Sequence, residues 1–329
     1  MGFEDFTDRT DAGALIPEEV SAEILKNLSR RSAAMARMKM INMGRKQVRM
    51  PIIESLPYAF FRNGDTGLAQ TAEMKWKNKF LNAEPIDVIV PVPKTVLDDA
   101  DYDMWGQIRP ACEEAIGAKM DQAIFFGADK PSVWPDAIVT AAAAAGNEFV
   151  RGSVANQKLD VDIANTMALV EDDDFDCTGH ISRLRIRSGL RNLRDANGQP
   201  ILVTGMRQSN GQPDGMTTVE DSDTIYALPN YYARNEAFTG GNAELITGDW
   251  SQALLGMRQD IEVQISDQAV ITDNAGKVVF NLFQQGMIGM KLTVRCAFQI
   301  ANFITRGNQA KTESQRYPFA VLRPVGYTA

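Results

Sequence analysis

The sequence predicts an α+β chain built around one long helix, and three stretches carry that prediction. A short apolar strand, AEPIDVIVPVP, leads through KTVLDDA into DYDMWGQIRPACEEAIGAKMDQAIFFG, which reads as one continuous helix. At 1.5 Å per residue such a helix is about 40 Å long. Upstream, KQVRMPIIES and EMKWKNKFLNAEPIDVIVPV flank the Gly/Asn-rich RNGDTG, the pattern of a long hairpin over residues 45–92. Towards the end, Leu292, Val294, Cys296, Phe298 and Ile300 alternate with Thr293, Arg295, Ala297 and Gln299. That period of two marks a half-buried strand.

Composition sets the outer bounds. A chain of 329 residues exceeds one average domain, and 44% apolar residues suffice for a real core. No apolar run nears the ~20 residues that span a bilayer, and the acidic MGFEDFTDRTD does not resemble a signal peptide, so no membrane association is expected. The net charge of −8 argues against a protein that wraps nucleic acid, because affinity for phosphate comes from clustered Lys and Arg. Cys112, Cys177 and Cys296 are far apart and read as buried or free thiols, not zinc ligands.

The elements follow in order. Residues 1–14 read as a loose arm, and Pro17, Glu18 and Glu19 open a helix with Val20, Ile24, Leu25 and Leu28 as its apolar stripe. In the hairpin, Lys75, Lys77 and Lys79 share one face and alternate with Trp76, Asn78 and Phe80, which suggests a snorkelled, salt-bridging lysine face. A two-stranded ribbon is unstable by itself in water, so it needs another surface to lie on. The long helix is capped near Asp98–Asp101, carries Met104, Ile108, Ala111, Ala115, Met120 and Ile124 on its apolar side, and ends at Gly127. Pro110 inside it removes a backbone bond, so a kink or a two-part helix is expected there.

Next come the small-residue TAAAAAG, a helix over Lys158–Val170, the acidic EDDDFD and a strand edge with a helix over Ser182–Leu193. A turn at Asn197–Gly198 and a mobile loop over residues 205–223 follow. TIYALP, AELITGDW, IEVQIS and KVVFNLF are short strands, and PFAVLRPV is expected to pair with the 292–300 strand in one sheet.

No catalytic constellation accompanies these elements. His180 is the only histidine and lacks a GxSxG or HExxH context, so a solvent-facing or capping role is expected. EDDDFD reads as a solvated acidic loop and lacks the glycine and distal glutamate of a calcium loop. Gly240–Gly241 and Gly286–Gly289 form no nucleotide-binding motif. No cofactor, metal or enzymatic activity is expected. The rival from another class is a metal-assisted α/β hydrolase using Asp172–Asp174.

The order of parts resembles the tailed-bacteriophage major capsid proteins of the Hong Kong 97 type over about residues 14–325. The carrying segments are LIPEEVSAEILKNLS, the hairpin, PVPKTVLDDA, the helix ending IFFG, DANGQPI and TGDWSQALLGMRQDIEVQIS. The resemblance implies an N-terminal arm and first helix (1–44), an extended hairpin loop (45–92), a peripheral domain with the spine helix (93–155), an axial α/β domain (156–285) and peripheral return strands (286–329). It implies a virion shell protein, assembled in the host bacterial cytoplasm, that forms pentamers and hexamers and encloses DNA without reading its sequence. Portal protein, a separate scaffolding protein (only residues 1–14 precede the first helix) and a decoration or cement protein are the implied partners. Arg62, Lys75, Trp76, Lys77, Lys79 and Phe80 would touch the neighbouring subunit, and Pro110 would let the spine helix bend. The type member cross-links a lysine to an asparagine beside a glutamate. Lys75 or Lys77 with Asn274 or Asn281 could supply the pair here, but residues 282–303 contain no Asp or Glu, so no cross-link is expected. An encapsulin-like nanocompartment shell is the alternative within the same fold.

Overall fold

Proline placement and alternation decide the first sheet. The strand that alternates most cleanly, β13 (Met287–Ile300), lies inside a four-stranded sheet between β10 (Ala253–Ser266) and β4 (Glu84–Pro93), with β1 (Lys39–Asn42) on the far edge of β10. β4 carries Pro85, Pro91 and Pro93, none of which can donate to a ladder, so it occupies the other edge. In β13 the inward set, Leu292, Val294, Cys296, Phe298 and Ile300, is buried as the alternation requires.

This computed structural model describes residues 32–62, 64, 66–99, 104–154, 158–194, 222–234, 236–238, 242–272 and 275–327. The N-terminal arm and its helix, the Asn197–Gly198 turn, Gly240–Gly241, Asn274 and all but the end of the 205–223 segment lie outside the described residues.

The spine helix, α3 (Met104–Asp121), packs over the four-stranded sheet, its core residues in one cluster with those of β10 and β13. Its buried row is Cys112, Ile116 and Met120, with half-buried Ile108 before them, one residue per turn. Ala111 and Ala115, expected inward, are exposed; a methyl side chain gains too little from burial to set a helix's rotation. A short helix of its own, α2 (Lys94–Asp99), precedes the spine and contains Asp98. The spine runs without interruption through Pro110, so it is not two helices. Its regularity changes instead at Gln122–Phe126, where the hydrogen bonding widens into a π-turn. Gly127, at φ 74°, ends the helix as expected, in a left-handed conformation that only glycine adopts at little cost.

The other sheet has six strands in the order β5 (Glu148–Val150), β14 (Phe319–Arg323), β9 (Leu245–Gly248), β6 (Gly179–Arg183), β8 (Leu228–Ala233) and β7 (Ser222–Ile225). One face, with Ile181, Ala233, Ile246, Phe319 and Val321, joins the spine-helix cluster. The other face packs Tyr232, Leu245 and Leu322 against α5 (Leu159–Glu171) and α6 (Ile186–Arg191). Phe125 and Phe126 at the π-turn meet Phe238, and Phe125 also meets Trp250 edge-on, an aromatic joint between the spine and this sheet.

Several expectations are corrected. PFAVLRPV does not pair with the 292–300 strand: β14 is hydrogen-bonded to β9 and β5, and its five residues are all buried, which fits an interior strand covered on both faces. TIYALP is no single strand but the turn of the β7–β8 hairpin, with Tyr226 and Ala227 both at positive φ. The strand around His180 is central, not an edge, and extends over Ser182; the helix starts at Ile186. The ribbon ends at Asn82, because the apolar strand after it belongs to the four-stranded sheet.

Asp121, fully buried at the end of the spine, holds α1 (Ala33–Arg37). Its carboxylate accepts from Ser32 Oγ (2.7 Å), Ala33 N (2.8 Å) and Ala34 N (3.1 Å). A carboxylate at the positive end of a helix satisfies amides that have no intrahelical acceptor.

His180 is fully buried in β6, which overturns the solvent-facing expectation: the alternation that buries Ile181 on one face places His180 on the other, under α5 and α6. Burial lowers its pKa to about 4, with the Ile225 backbone opposing weakly from outside good hydrogen-bond geometry and Arg37 adding to the shift. With the folded pKa below the unfolded value, the neutral ring stabilises the fold fully above pH ~6.5 and that contribution is lost as pH falls towards 4. Between pH 6.5 and 5 the protein should lose about 2 kcal/mol in denaturant titrations. His180→Leu should abolish most of this slope, and an unchanged slope in the variant would refute the assignment.

Candidate interaction surface

Strands β2 (Gln47–Ser55) and β3 (Lys75–Asn82) pair only with each other, antiparallel from Gln47↔Asn82 to Ser55↔Lys75. The base of this ribbon is tied into the molecule: Leu81 is fully buried and clusters with Met43, Ala83 and Ala297. Beyond Ser55 no described residue is in a strand until Lys75. There the apolar side chains face outward: Phe61 is fully exposed and Leu68 91% exposed, with Tyr58 and Phe60 also on the surface, and on β3 Trp76 (64%) and Phe80 are exposed too. A contiguous run of large exposed apolar groups marks an interaction site. Arg62 lies exposed within the same run.

The lysine face has a partner that sequence reading missed. Lys77 Nζ lies 2.7 Å and Lys79 Nζ 2.8 Å from the two oxygens of Glu313, so one carboxylate bridges two ribbon lysines. Lys79, 12% exposed at its side chain, also donates to the Ile300 carbonyl at 2.9 Å. Burial opposes charge on Glu313, but the hydrogen bonds from Lys77 and Lys79 prevail and hold its pKa at about 2. The two lysines respond in opposite directions for a physical reason. Lys79 is lowered chiefly by burial, whereas Lys77, nearer solvent, is raised chiefly by its hydrogen bond to Glu313. Among the described residues Lys75 pairs with its neighbour Glu73, both largely exposed, a contact worth little.

Glu313 belongs to the segment 302–317, which connects β13 to β14. The same segment reaches the ribbon twice more, through Arg306 Nη1 to the Pro57 carbonyl (2.5 Å) and Gln309 Nε2 to the Leu56 carbonyl (3.0 Å). It also receives the acidic run. Asp173 is 2% exposed; one carboxylate oxygen accepts from Lys311 Nζ (2.6 Å), the other from Asn147 Nδ2 (2.7 Å) and Tyr317 N (2.9 Å). EDDDFD is therefore not uniformly solvated: Asp172, Asp174 and Asp176 are exposed, but Asp173 turns inward because four donors converge on its side chain and carbonyl. Among the described residues no group of three or more His, Cys, Asp or Glu could hold a metal ion.

Of the remaining predicted residues, Pro110 is half-buried in the spine, and Asn281 caps α7 (Leu282–Gln285), its Oδ1 accepting from Gln284 N at 3.3 Å. Asn281 stands near the start of β13, whereas Lys79 of the lysine face bonds the Ile300 carbonyl at its end. Cys112 and Cys296 are buried and Cys177 half-buried, all free. Among the described residues no helix is long and apolar enough to cross a membrane.

The model of the phage capsid family matches residues 12–304. A protein of Staphylococcus phage 80alpha described as "Major capsid protein" is 25% identical over 243 residues, 73% of this chain and 67% of that one. A solved structure from Microbacterium phage Oxtober96 is 33% identical with a TM-score of 0.74, covering 97% of this chain and all of that one. One from Mycobacterium phage Cain is 28% identical with a TM-score of 0.75, covering 98% of this chain and all of its own. A ribbon, spine helix and two sheets that superpose on phage chains along nearly their whole length accord with the family match, and the chain belongs to the phage capsid family.

Proposed function

We propose that this capsid chain closes its shell by laying the exposed tip of the β2–β3 ribbon on an adjacent copy. The observation that carries the reading is the contrast along the ribbon: a base fixed by Leu81 and Glu313, and a tip whose Phe61, Leu68 and Trp76 have no cover. Burying an aromatic or leucine side chain contributes about 1.5–3 kcal/mol, so a few of them sustain a contact that a closed lattice repeats many times. Arg62, Lys75 and Phe80, all exposed along the same hairpin, belong to that contact.

In this reading the spine helix and four-stranded sheet form the peripheral part, and the six-stranded sheet with α5 and α6 the axial part that meets copies around fivefold and sixfold axes. The axial sheet then includes Glu148–Val150 and Phe319–Arg323, which lie outside residues 156–285 in sequence. The shell encloses DNA without binding its sequence, consistent with a wall of net charge −8. Portal, scaffolding and decoration proteins are its expected partners, and the host cytoplasm is where it assembles. The phage matches support this reading over a nanocompartment shell. Asp173 bonds to the 302–317 segment, which removes the central acid of the rival hydrolase.

Pro110 would supply compliance in the spine, since its ring leaves the preceding turn one hydrogen bond short. Pro110→Ala should reduce the fraction of shells that expand from precursor to mature diameter, read by electron microscopy; unchanged expansion would count against that role. Phe61→Ser together with Trp76→Ser should leave the chain folded by circular dichroism. It should raise the concentration needed for assembly by at least about tenfold per residue, from the lost burial. Shells forming at the wild-type concentration would sink the ribbon contact. Particles boiled in denaturant should run as single chains, because Asn281 is committed to capping and Glu313 to two lysines; a ladder of multimers would show a covalent link instead.

A further inference from the structure

The 302–317 segment has contacts on two sides, and they converge on almost the same point of its backbone. Towards the ribbon, Glu313 holds Lys77 and Lys79, while Arg306 and Gln309 hold the Pro57 and Leu56 carbonyls. Towards the C-terminal end of α5, Lys311 Nζ binds Asp173 Oδ1 (2.6 Å) and the Asp172 carbonyl (2.8 Å), Asn308 Nδ2 binds the Asp173 carbonyl (3.1 Å), and Gly307 N binds Asp174 Oδ2 (3.2 Å). Lys311 and Glu313 are two positions apart in sequence. The backbone between and around them is braced: Lys311 N donates to the Asn308 carbonyl, Gln315 N and Arg316 N to the Thr312 carbonyl, and Arg316 Nη1 to the Lys311 carbonyl.

Between ribbon and segment lies a cavity of about 270 Å³, bordered by Ile52, Ile53 and Lys77 on one side and Ile304, Gln309 and Thr312 on the other. Over this stretch the polar contacts at the cavity's margin, from Glu313 and Gln309, join ribbon to segment. On the far side the Asp173 carboxylate is 2% exposed, and charge-assisted bonds to a buried carboxylate are short, directional and costly to break.

We infer that the 302–317 segment is a strut that sets the ribbon's direction relative to the six-stranded sheet, with Lys311 and Asp173 as positioning residues that act through Glu313. A shift of α5 is then transmitted to the ribbon, and the ribbon's seating on a neighbour is felt by α5. The inference rests on the ribbon being the inter-subunit contact, and it assigns a role in shell geometry to residues remote from that contact.

The test is a distance measurement between spin labels at Leu68→Cys on the ribbon and Val161→Cys on α5, in the full-length chain before assembly, with Cys177→Ser to avoid a third label. Lys311→Met, Asp173→Asn and Glu313→Gln should each broaden the distance distribution, roughly twofold, and Lys311→Arg should retain the wild-type width. Combining Lys311→Met with Glu313→Gln should broaden it no further than either alone, because both cut one linkage. The same single variants should give shells of mixed diameter, and Lys311→Arg should give shells of the wild-type diameter. Lys311→Met is the critical variant if Asp173→Asn fails to fold, since the lysine side chain is partly exposed. Wild-type width in Lys311→Met, with broadening only in Glu313→Gln, would overturn the strut. Full broadening combined with normal assembly of a chain lacking residues 58–72 would instead refute the ribbon contact and leave the strut standing.

Discussion

Glu313 accepts two lysines from a ribbon that pairs with no third strand among the described residues, and that carboxylate is the charged contact that seats the ribbon. Lys79 needs such a partner more than Lys77, whose side chain stays about half exposed. Burial of Lys79 works against its charge and lowers its pKa, and the shared carboxylate offsets part of that penalty. The pairing is also strongly directional. Lys77 and Lys79 lie on one face of β3, so a single acceptor opposite that face fixes the roll of the ribbon as well as its position.

Stability and assembly are divided between different regions of the chain. The core runs from the spine helix through both sheets, and Phe125, Phe298, Phe319 and Met120, among its largest fully buried side chains, belong to the cluster that joins them. The ribbon tip contributes nothing to that core. A β-hairpin whose outer part buries no apolar surface opens locally at little free-energy cost, which suits a segment that must find its place on another molecule. The β11 (Val270–Thr272) and β12 (Val278–Asn281) hairpin leaves a second set of apolar residues, Val270, Val278 and Val279, in solvent at the other end of the four-stranded sheet.

What the sequence made legible was whatever has a local period. The inward set from Leu292 to Ile300, the lysine face of β3, the α5 helix and the glycine stop at Gly127 are present as read, because each is decided within a few residues; Ala297, read as outward, is instead buried under the ribbon base with Leu81. What it hid depends on distant segments meeting. Lys77 and Glu313 are 236 residues apart, and nothing in KTESQR marks its glutamate as the acceptor. Asp173 reads as one acid among several, and only the return of the 302–317 segment turns it inward. The burial of His180 has the same origin: its strand becomes central once β9 and β8 pair on either side of it. PFAVLRPV was misplaced because an apolar run specifies burial but not which sheet provides it.

The central claim is that residues 56–74 have their proper cover only on another copy of the chain. Hydrogen exchange of their backbone amides, compared between the unassembled chain and the intact shell, tests it most directly. The account predicts fast exchange before assembly and strong protection within the shell, while the amides of Met287–Ile300 are protected in both. Protection of 56–74 in the free chain, or fast exchange that persists in the finished shell, would contradict it.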